Sequence, residues 1–178
     1  MLIPRHPVPA LQLDTLAHGH FDLAKESAAN FTLIVFYRGL HCPLCAKYLI
    51  ELERLVPEFE AQGVSVIALS SDNAERAAAM ADKIKARHLR FAYGLSLEKA
   101  RSWGLYISSS RGKTSIGLDE PSLFSEPGVF MVRPDGTLYY GNVQTMPFAR
   151  PNFSDLLGGL AFILANDYPA RGEYTGAL

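Results

Sequence analysis

Two cysteines, one tryptophan and four methionines are all that the 178 residues hold of those types. So few cysteines exclude the disulfide scaffold of a small secreted protein. No run of about 18 apolar residues occurs, which argues against a membrane-spanning helix. The N-terminal stretch Met1-Leu2-Ile3-Pro4-Arg5-His6-Pro7 lacks a basic region followed by about 7–15 apolar residues, so no secretory leader is expected. An excess of one charge is lacking too. Seventeen Lys+Arg stand against 18 Asp+Glu, for a formal net charge of −1, and no global field draws in nucleic acid or an anionic membrane. Internal repeats, low-complexity tracts and interdomain linkers are absent. These absences predict one domain over residues 1–178, cytoplasmic, with no nucleic-acid and no membrane partner.

What is present centres on six residues, His41-Cys42-Pro43-Leu44-Cys45-Ala46, which hold both cysteines. Before them, Phe31-Thr32-Leu33-Ile34-Val35-Phe36-Tyr37 is rich in β-branched and aromatic residues and reads as a buried strand. After them, Leu44, Tyr48, Leu49, Leu52, Leu55, Val56 and Phe59 recur at helical spacing to about Gln62, where Gly63 stops the helix. Pro57 lies inside that helix and is expected to kink it. The thiols thus fall at the mouth of a helix that follows a strand. Unpaired N–H groups and a partial positive charge there stabilise a thiolate. Cysteines three apart are helix neighbours, close enough to form a disulfide. Strand, C-x-x-C, helix in a βα setting is the signature of a thioredoxin-like redox site.

The rest of the chain reads in the same terms. Short alternations at Leu11, Leu13 and Phe21, Leu23 flank a turn at His18-Gly19-His20 and suggest an early hairpin. Val64 to Leu69 is a second buried strand. Ser70-Ser71-Asp72-Asn73 offers caps for an Ala-rich helix from Ala74 to about His88. Phe91 to Tyr93 reads as a short strand and Leu97 to Trp103 as a short helix. Ile107 to Ser125, rich in Ser, Gly and charge, is expected to be a long loop whose Arg111 and Lys113 are solvated. Gly128 to Arg133, Pro134-Asp135-Gly136 and Thr137 to Tyr140 form the strongest hairpin signal. A last helix runs from about Phe153 to Asn166, and the tail from Tyr168 to Leu178 is expected to pack on the fold or on a partner. A βαβ unit followed by an antiparallel hairpin implies an α/β protein with a mixed central sheet and helices on both faces.

Two other readings of the cysteines compete. They could be inert buried hydrophobes, although a strand-to-helix junction is a poor place for that. They could bind zinc, but a structural site needs four ligands, and only His41 is near in sequence. A metal-binding or redox-inert interaction module is therefore the alternative to redox chemistry. The redox reading needs no metal and no cofactor. Within it, Cys42 at the helix mouth is expected to be the more exposed thiolate and Cys45 the resolving thiol. His41 is expected to assist proton transfer or to stabilise the thiolate as a cation. Tyr37 and Arg38, at the end of the strand, are candidates to orient substrate. Trp103 and the phenylalanines are expected in the core.

The string Val35-Phe36-Tyr37-Arg38-Gly39-Leu40-His41-Cys42-Pro43-Leu44-Cys45 resembles the peroxiredoxin-like branch of the alkyl hydroperoxide reductase and thiol-specific antioxidant family. The likeness extends to Ser70-Ser71-Asp72, to Pro127-Gly128-Val129-Phe130 and to Pro134-Asp135-Gly136, and covers roughly residues 8 to 141. It implies a thioredoxin-like fold and a redox-active Cys42/Cys45 pair that reduces hydroperoxides or disulfides. The implied partner is a thiol reductant such as a thioredoxin or glutathione system, and a homodimer is compatible with it. In the register of peroxiredoxins proper, Cys45 falls at the peroxide-attacking position and Cys42 at a Thr. Pro127 stands where those proteins place an Arg. It looks instead like the cis-proline of thioredoxins, so a cis Glu126–Pro127 bond beside the thiols is expected, with Arg38 supplying the missing positive charge.

Overall fold

A computed structural model describes residues 1–177; Leu178 lies outside it. Thirteen helices and strands follow one another along the chain. They are β1 (Gln12–Asp14), β2 (His20–Asp22), β3 (Phe31–Phe36), α1 (Pro43–Ala61), β4 (Val64–Leu69), α2 (Ala74–Ile84), β5 (Arg90–Ala92), α3 (Leu97–Ser102), β6 (Ile107–Ser109), β7 (Leu123–Ser125), β8 (Gly128–Val132), β9 (Leu138–Val143) and α4 (Phe153–Ala165). Five of the strands form the central sheet in the order β5-β4-β3-β8-β9. Strand β3 runs parallel to β4 and antiparallel to β8, with Ile34 opposite Ile67 on one side and Phe130 on the other. The sheet is mixed, as the sequence predicted.

All six residues of β3 are buried, because both faces of the strand are covered. Its odd positions, Phe31, Leu33 and Val35, pack with Leu49, Leu52 and Phe59 of α1, Met80 of α2 and Phe153, Leu157 and Leu160 of α4. Its even positions, Ile34 and Phe36, face Ala100 of α3, Trp103, Phe130 and the β1–β2 hairpin through Leu11 and Phe21. Period-2 alternation thus sends one strand into two cores. Trp103 is fully buried, with its ring 5.4 Å from Phe36 and 5.1 Å from Phe130. Helix α1 continues through Pro57. It stops where Gly63 takes φ +72°; a Cβ there would meet the Asn30 side chain at 2.7 Å.

Three sequence readings change. The Ala-rich helix ends at Ile84, not near His88, because Lys85 turns left-handed at φ 56°. The backbone N–H groups of Arg87, His88 and Leu89 then donate to the Glu53 carboxylate of α1 instead of to a helix. The expected loop at 107–125 is an arm: β6 and β7 pair antiparallel, Ile107 opposite Ser125. No peptide bond among the described residues is cis, so the Glu126–Pro127 bond is trans and the likeness of Pro127 to a thioredoxin cis-proline fails. The tail packs on the fold, among other contacts through two hydrogen bonds to its carbonyls. Arg5 Nε donates to the Ala170 carbonyl and the Tyr139 hydroxyl to the Tyr168 carbonyl. No helix among the described residues is long and apolar enough to cross a membrane.

Candidate active site

The site is built where β3 gives way to α1. Tyr37 extends the strand by one last bond, its N–H donating to the Leu69 carbonyl. Residues 38–41 then cross over the end of the sheet. Asp72, just past β4, holds this crossing: its carboxylate accepts from the Leu40 N–H at 2.7 Å and from Arg76 Nε at 2.9 Å. Gly39 has φ +135°, and a Cβ there would lie 2.9 Å from Asp72 Oδ2 and 3.0 Å from His41 Nδ1. Only glycine passes. The Ser70-Ser71-Asp72-Asn73 run is therefore divided: Asn73 caps α2 through Arg76 N–H, while Asp72 serves the site loop.

Cys42 is the N-cap of α1. Its extended backbone (φ −98°, ψ 105°) and the proline after it start the helix, and its sulfur accepts the Cys45 N–H at 3.3 Å. A thiolate here satisfies a helix-start donor and meets the positive end of the helix. Both cysteines are free and buried, Cys42 at 1% exposure and Cys45 at 0%. Cys42 is the more exposed of the two only marginally: packing of the loop and of a second segment over the helix mouth covers both sulfurs.

That second segment carries Arg150, which the sequence reading did not single out. Arg150 lies in the irregular stretch between β9 and α4 and reaches back to the helix mouth. Its Nη2 is 3.0 Å from Cys45 Sγ and 3.8 Å from Cys42 Sγ. Tyr48, one turn along α1 from Cys45, mounts it. The guanidinium lies 5.0 Å over the Tyr48 ring, and the Tyr48 hydroxyl donates to the carbonyl of Pro151. Phe153 stacks on the same ring at 4.2 Å. Nε and Nη1 of Arg150 are buried without a hydrogen-bond partner.

These contacts split the two thiols. The Cys42 pKa falls to about 6, chiefly because the Cys45 thiol hydrogen-bonds to its sulfur; burial opposes this, and the Cys45 N–H and Arg150 add to the lowering. Burial pushes the Cys45 thiol well up, and the charge on Cys42 pushes it further. The two shifts run in opposite directions, so the pair favours a single negative charge, with Cys42 the more acidic of the two thiols. Burial disfavours the Arg150 cation, yet the Cys45 and Cys42 sulfurs keep its pKa above the ordinary value.

The other candidates are placed differently from expectation. Arg38 turns toward the β6–β7 arm, with Nε 3.1 Å from Glu126 and Nη2 3.8 Å from Glu120, and lies 4.7 Å over the Phe124 ring. Its charge is met by two carboxylates, and it does less than Arg150 to lower the Cys42 pKa. His41 is fully buried, edge-on to Phe124 at 4.7 Å, with neither ring nitrogen hydrogen-bonded. Burial drives its pKa down to about 4, so it is neutral and does not stabilise the thiolate as a cation. The Tyr37 ring is sealed in the α1-side core beside Phe91, where burial raises its pKa. Pro127 is buried, and its carbonyl accepts the N–H of Gln144, the first residue of the Arg150 segment. Among the described residues no three His, Cys, Asp or Glu side chains are grouped to hold a metal ion.

A cysteine capping a helix with a second thiol one turn behind it, on a mixed α/β sheet, defines a thioredoxin-like fold with a paired-thiol site. The chain belongs to the AhpC/TSA family, whose model matches residues 4–141. A 1-Cys peroxiredoxin of Onchocerca volvulus is 29% identical over 123 residues, which is 65% of this chain and 53% of that protein. The chain thus spans about half the length of the curated relative it matches. Among solved structures, the fold matches that of Enterococcus faecalis AhpC (TM-score 0.73, 17% identity, 94% of this chain and 98% of that one). It also matches a peroxiredoxin 6 of Arenicola marina (TM-score 0.72, 18% identity, 93% and 76%). Arg150 lies beyond the family-matched segment.

Proposed function

We propose that the chain is a thiol peroxidase that reduces hydroperoxides with Cys42 as the attacking thiolate and Cys45 as the resolving thiol. The observation that carries this reading is the burial of Cys42, 1% exposed at the helix mouth, with the Arg150 guanidinium beside the pair. A hydroperoxide is small enough to enter such a site, whereas a protein disulfide must lie flat against an exposed sulfur. With a pKa of about 6, Cys42 is about nine-tenths ionised at pH 7. Its thiolate attacks the distal oxygen of the hydroperoxide, and the O–O bond breaks. The departing oxygen leaves as an alcohol or water after taking a proton, and Cys42 becomes a sulfenic acid. Arg150 is the cation at hand for the developing negative charge, and its two unpartnered N–H groups are free to meet the peroxide oxygens. Cys45 then attacks the sulfenic sulfur. Its thiol proton and the sulfenic hydroxyl leave as water, and the Cys42–Cys45 disulfide forms. A small or protein thiol reductant returns both electrons.

The AhpC/TSA membership and the peroxiredoxin neighbours support the same reading. Tyr37 and Pro127 contribute by packing, and Arg38 by fixing the loop to the arm. The competing activity is disulfide reduction, favoured by the C-x-x-C and the low Cys42 pKa. Stopped-flow oxidation of the reduced protein by hydrogen peroxide, an alkyl hydroperoxide and a protein disulfide decides between them. The peroxidase reading expects faster oxidation by a hydroperoxide; faster oxidation by the protein disulfide overturns it.

A further inference from the structure

A cavity of 760 Å³ lies on the side of the sheet away from the thiols, and the redox chemistry does not use it. Trp103 and Leu138, which line it, belong to the core that the even positions of β3 face; Cys42 and Cys45 belong to the core on the α1 side. We propose that this cavity binds a neutral aromatic carbonyl compound, an aryl ketone or its like, whose oxygen accepts the Trp103 indole N–H. The site stands apart from the peroxidase reading and does not rest on it.

The chemistry of the lining sets the ligand class. Trp103 is fully buried, and its Nε1 has no hydrogen-bond partner. A buried donor left unanswered costs free energy. An indole N–H donates and cannot accept, so the group that answers it is an acceptor. Among the described residues no Asp, Glu, Lys, Arg or His side chain lines the cavity. A charged ligand would therefore lose its hydration there with nothing to replace it. Tyr106, Val143 and Tyr174 line the cavity and are exposed, at 51%, 39% and 68%. Together with the indole they offer aromatic and apolar surface for a ring to cover. The volume falls in the range of small-molecule sites, about 300–1,000 Å³.

The cavity is also held in shape. Two segments far apart in sequence line it beside Trp103: Leu2 and Ile3 from one, Gly172, Tyr174 and Thr175 from the other. Arg5 ties both to the sheet. Its backbone N–H donates to the Leu138 carbonyl of β9, its Nε donates to the Ala170 carbonyl, and its Nη2 lies 3.4 Å from Glu173. The indole is fixed from behind by the edges of Phe36 and Phe130. Two glycines keep the lining clear. Gly104, next to Trp103, turns left-handed at φ +80°, with open space where a Cβ would stand; at Gly141 of β9 a Cβ would press on the Phe130 ring at 3.2 Å.

The probe for the test is Prodan, a neutral propionyl-naphthalene dye that absorbs where tryptophan emits. Trp103 is the only tryptophan of the chain, so energy transfer from it reports bound dye. Saturable binding of one dye per chain is expected, with blue-shifted dye emission. Val143→Glu puts a charge on the lining and is expected to weaken binding at least about tenfold. Ile50→Glu makes the same change in the exposed groove of α1 and is expected to leave binding unchanged. Trp103→Phe keeps a ring and removes the N–H; read by the dye's own emission, it is expected to weaken binding about tenfold. The anionic analogue, with a carboxylate in place of the propionyl group, is expected to bind the wild-type chain at least about tenfold more weakly. No saturable binding, a loss with Ile50→Glu in place of Val143→Glu, equal affinity for the anion, or a folded Trp103→Phe that binds as the wild type does each overturns the site. If Trp103→Phe does not fold, Val143→Glu and the anion decide.

Discussion

Two arginines flank the helix mouth, and their surroundings differ. Arg38, four residues from Cys42 in sequence, is spent on the arm: Glu126, Glu120 and the face of Phe124 take its charge. Arg150, more than a hundred residues away in sequence, pairs with no carboxylate among the described residues and turns to the sulfurs. Nearness along the chain made Arg38 the natural candidate for the thiolate's cation. The free energy of an ion pair depends on what else each partner already meets, and a guanidinium neutralised by two carboxylates adds little field at a third site. The arm is a structural clamp, and the 144–152 segment brings an uncompensated guanidinium to the sulfurs.

The comparison can be broken at its common point first. Cys42→Ser removes the thiolate that both regions enclose, and peroxide-driven sulfenate formation is expected to fall by about 10³-fold or more, read with a sulfenate-trapping reagent. Cys45→Ser should instead accumulate the adduct on Cys42. A fast sulfenate in Cys42→Ser makes Cys45 the attacking sulfur and reverses the assignment. Next in size, Arg150→Met should slow oxidation by hydrogen peroxide by about 10²-fold, the usual cost of one donor at a developing charge. Arg38→Met should slow it by less than about fivefold at temperatures where the variant is folded; equal losses in the two variants would erase the distinction between the two arginines.

Stability is expected to rank the arginines the other way. Arg38→Met strands Glu126, whose side chain is 4% exposed, and should cost about 3 kcal/mol of unfolding free energy in urea. Arg150→Met, which removes a charge with no carboxylate partner, should cost under about 1.5 kcal/mol in the same titration. The pH dependence sharpens this further. Thiolate absorbance in the ultraviolet should titrate with a midpoint near 6 in the native protein. The folded value lies below the ordinary thiol value, so the lowered Cys42 pKa favours folding above the ordinary thiol range, and that contribution fades as pH drops through about 6. Arg150→Met should move the midpoint up and Arg38→Met should move it less. The smallest effect belongs to Tyr48: Tyr48→Phe keeps the ring under Arg150 and should change the rate by under about threefold, whereas Tyr48→Leu should lose about tenfold. A Phe variant as slow as the Leu variant would put the hydroxyl bond to Pro151, rather than the ring, in charge of Arg150.

Much of the fold was legible because its signals are local and repeated. The β3 run, the α1 periodicity, Gly63, the β4 run and the 128–140 hairpin each state their conformation within a few residues. The arm was not, since three-residue strands in a stretch of Ser, Gly and charge leave too short a pattern to read, and the contact that braces them, Arg38 over the Phe124 ring of β7, comes from far along the chain. The end of α2 was missed because Glu53 of another helix captures the N–H groups of 87–89. His41 read as a cation candidate because the sequence does not record Phe124 against its ring. Arg150 gave one faint signal, its place just before Pro151 and the Asn152 cap of an apolar helix, which fixes where the chain enters α4 but not what the side chain faces.

The sequence by itself determined the strand, the C-x-x-C and the helix, and with them a thiol at an N-cap. That outcome follows from backbone geometry within one turn: a cysteine before a proline at a helix start puts its sulfur on its own helix's free N–H groups. Only the tertiary structure decided how deeply that sulfur is buried, which arginine faces it, and which of the two thiols keeps the proton. Those are questions of desolvation and of charges brought close in space, and both depend on residues far apart in the chain.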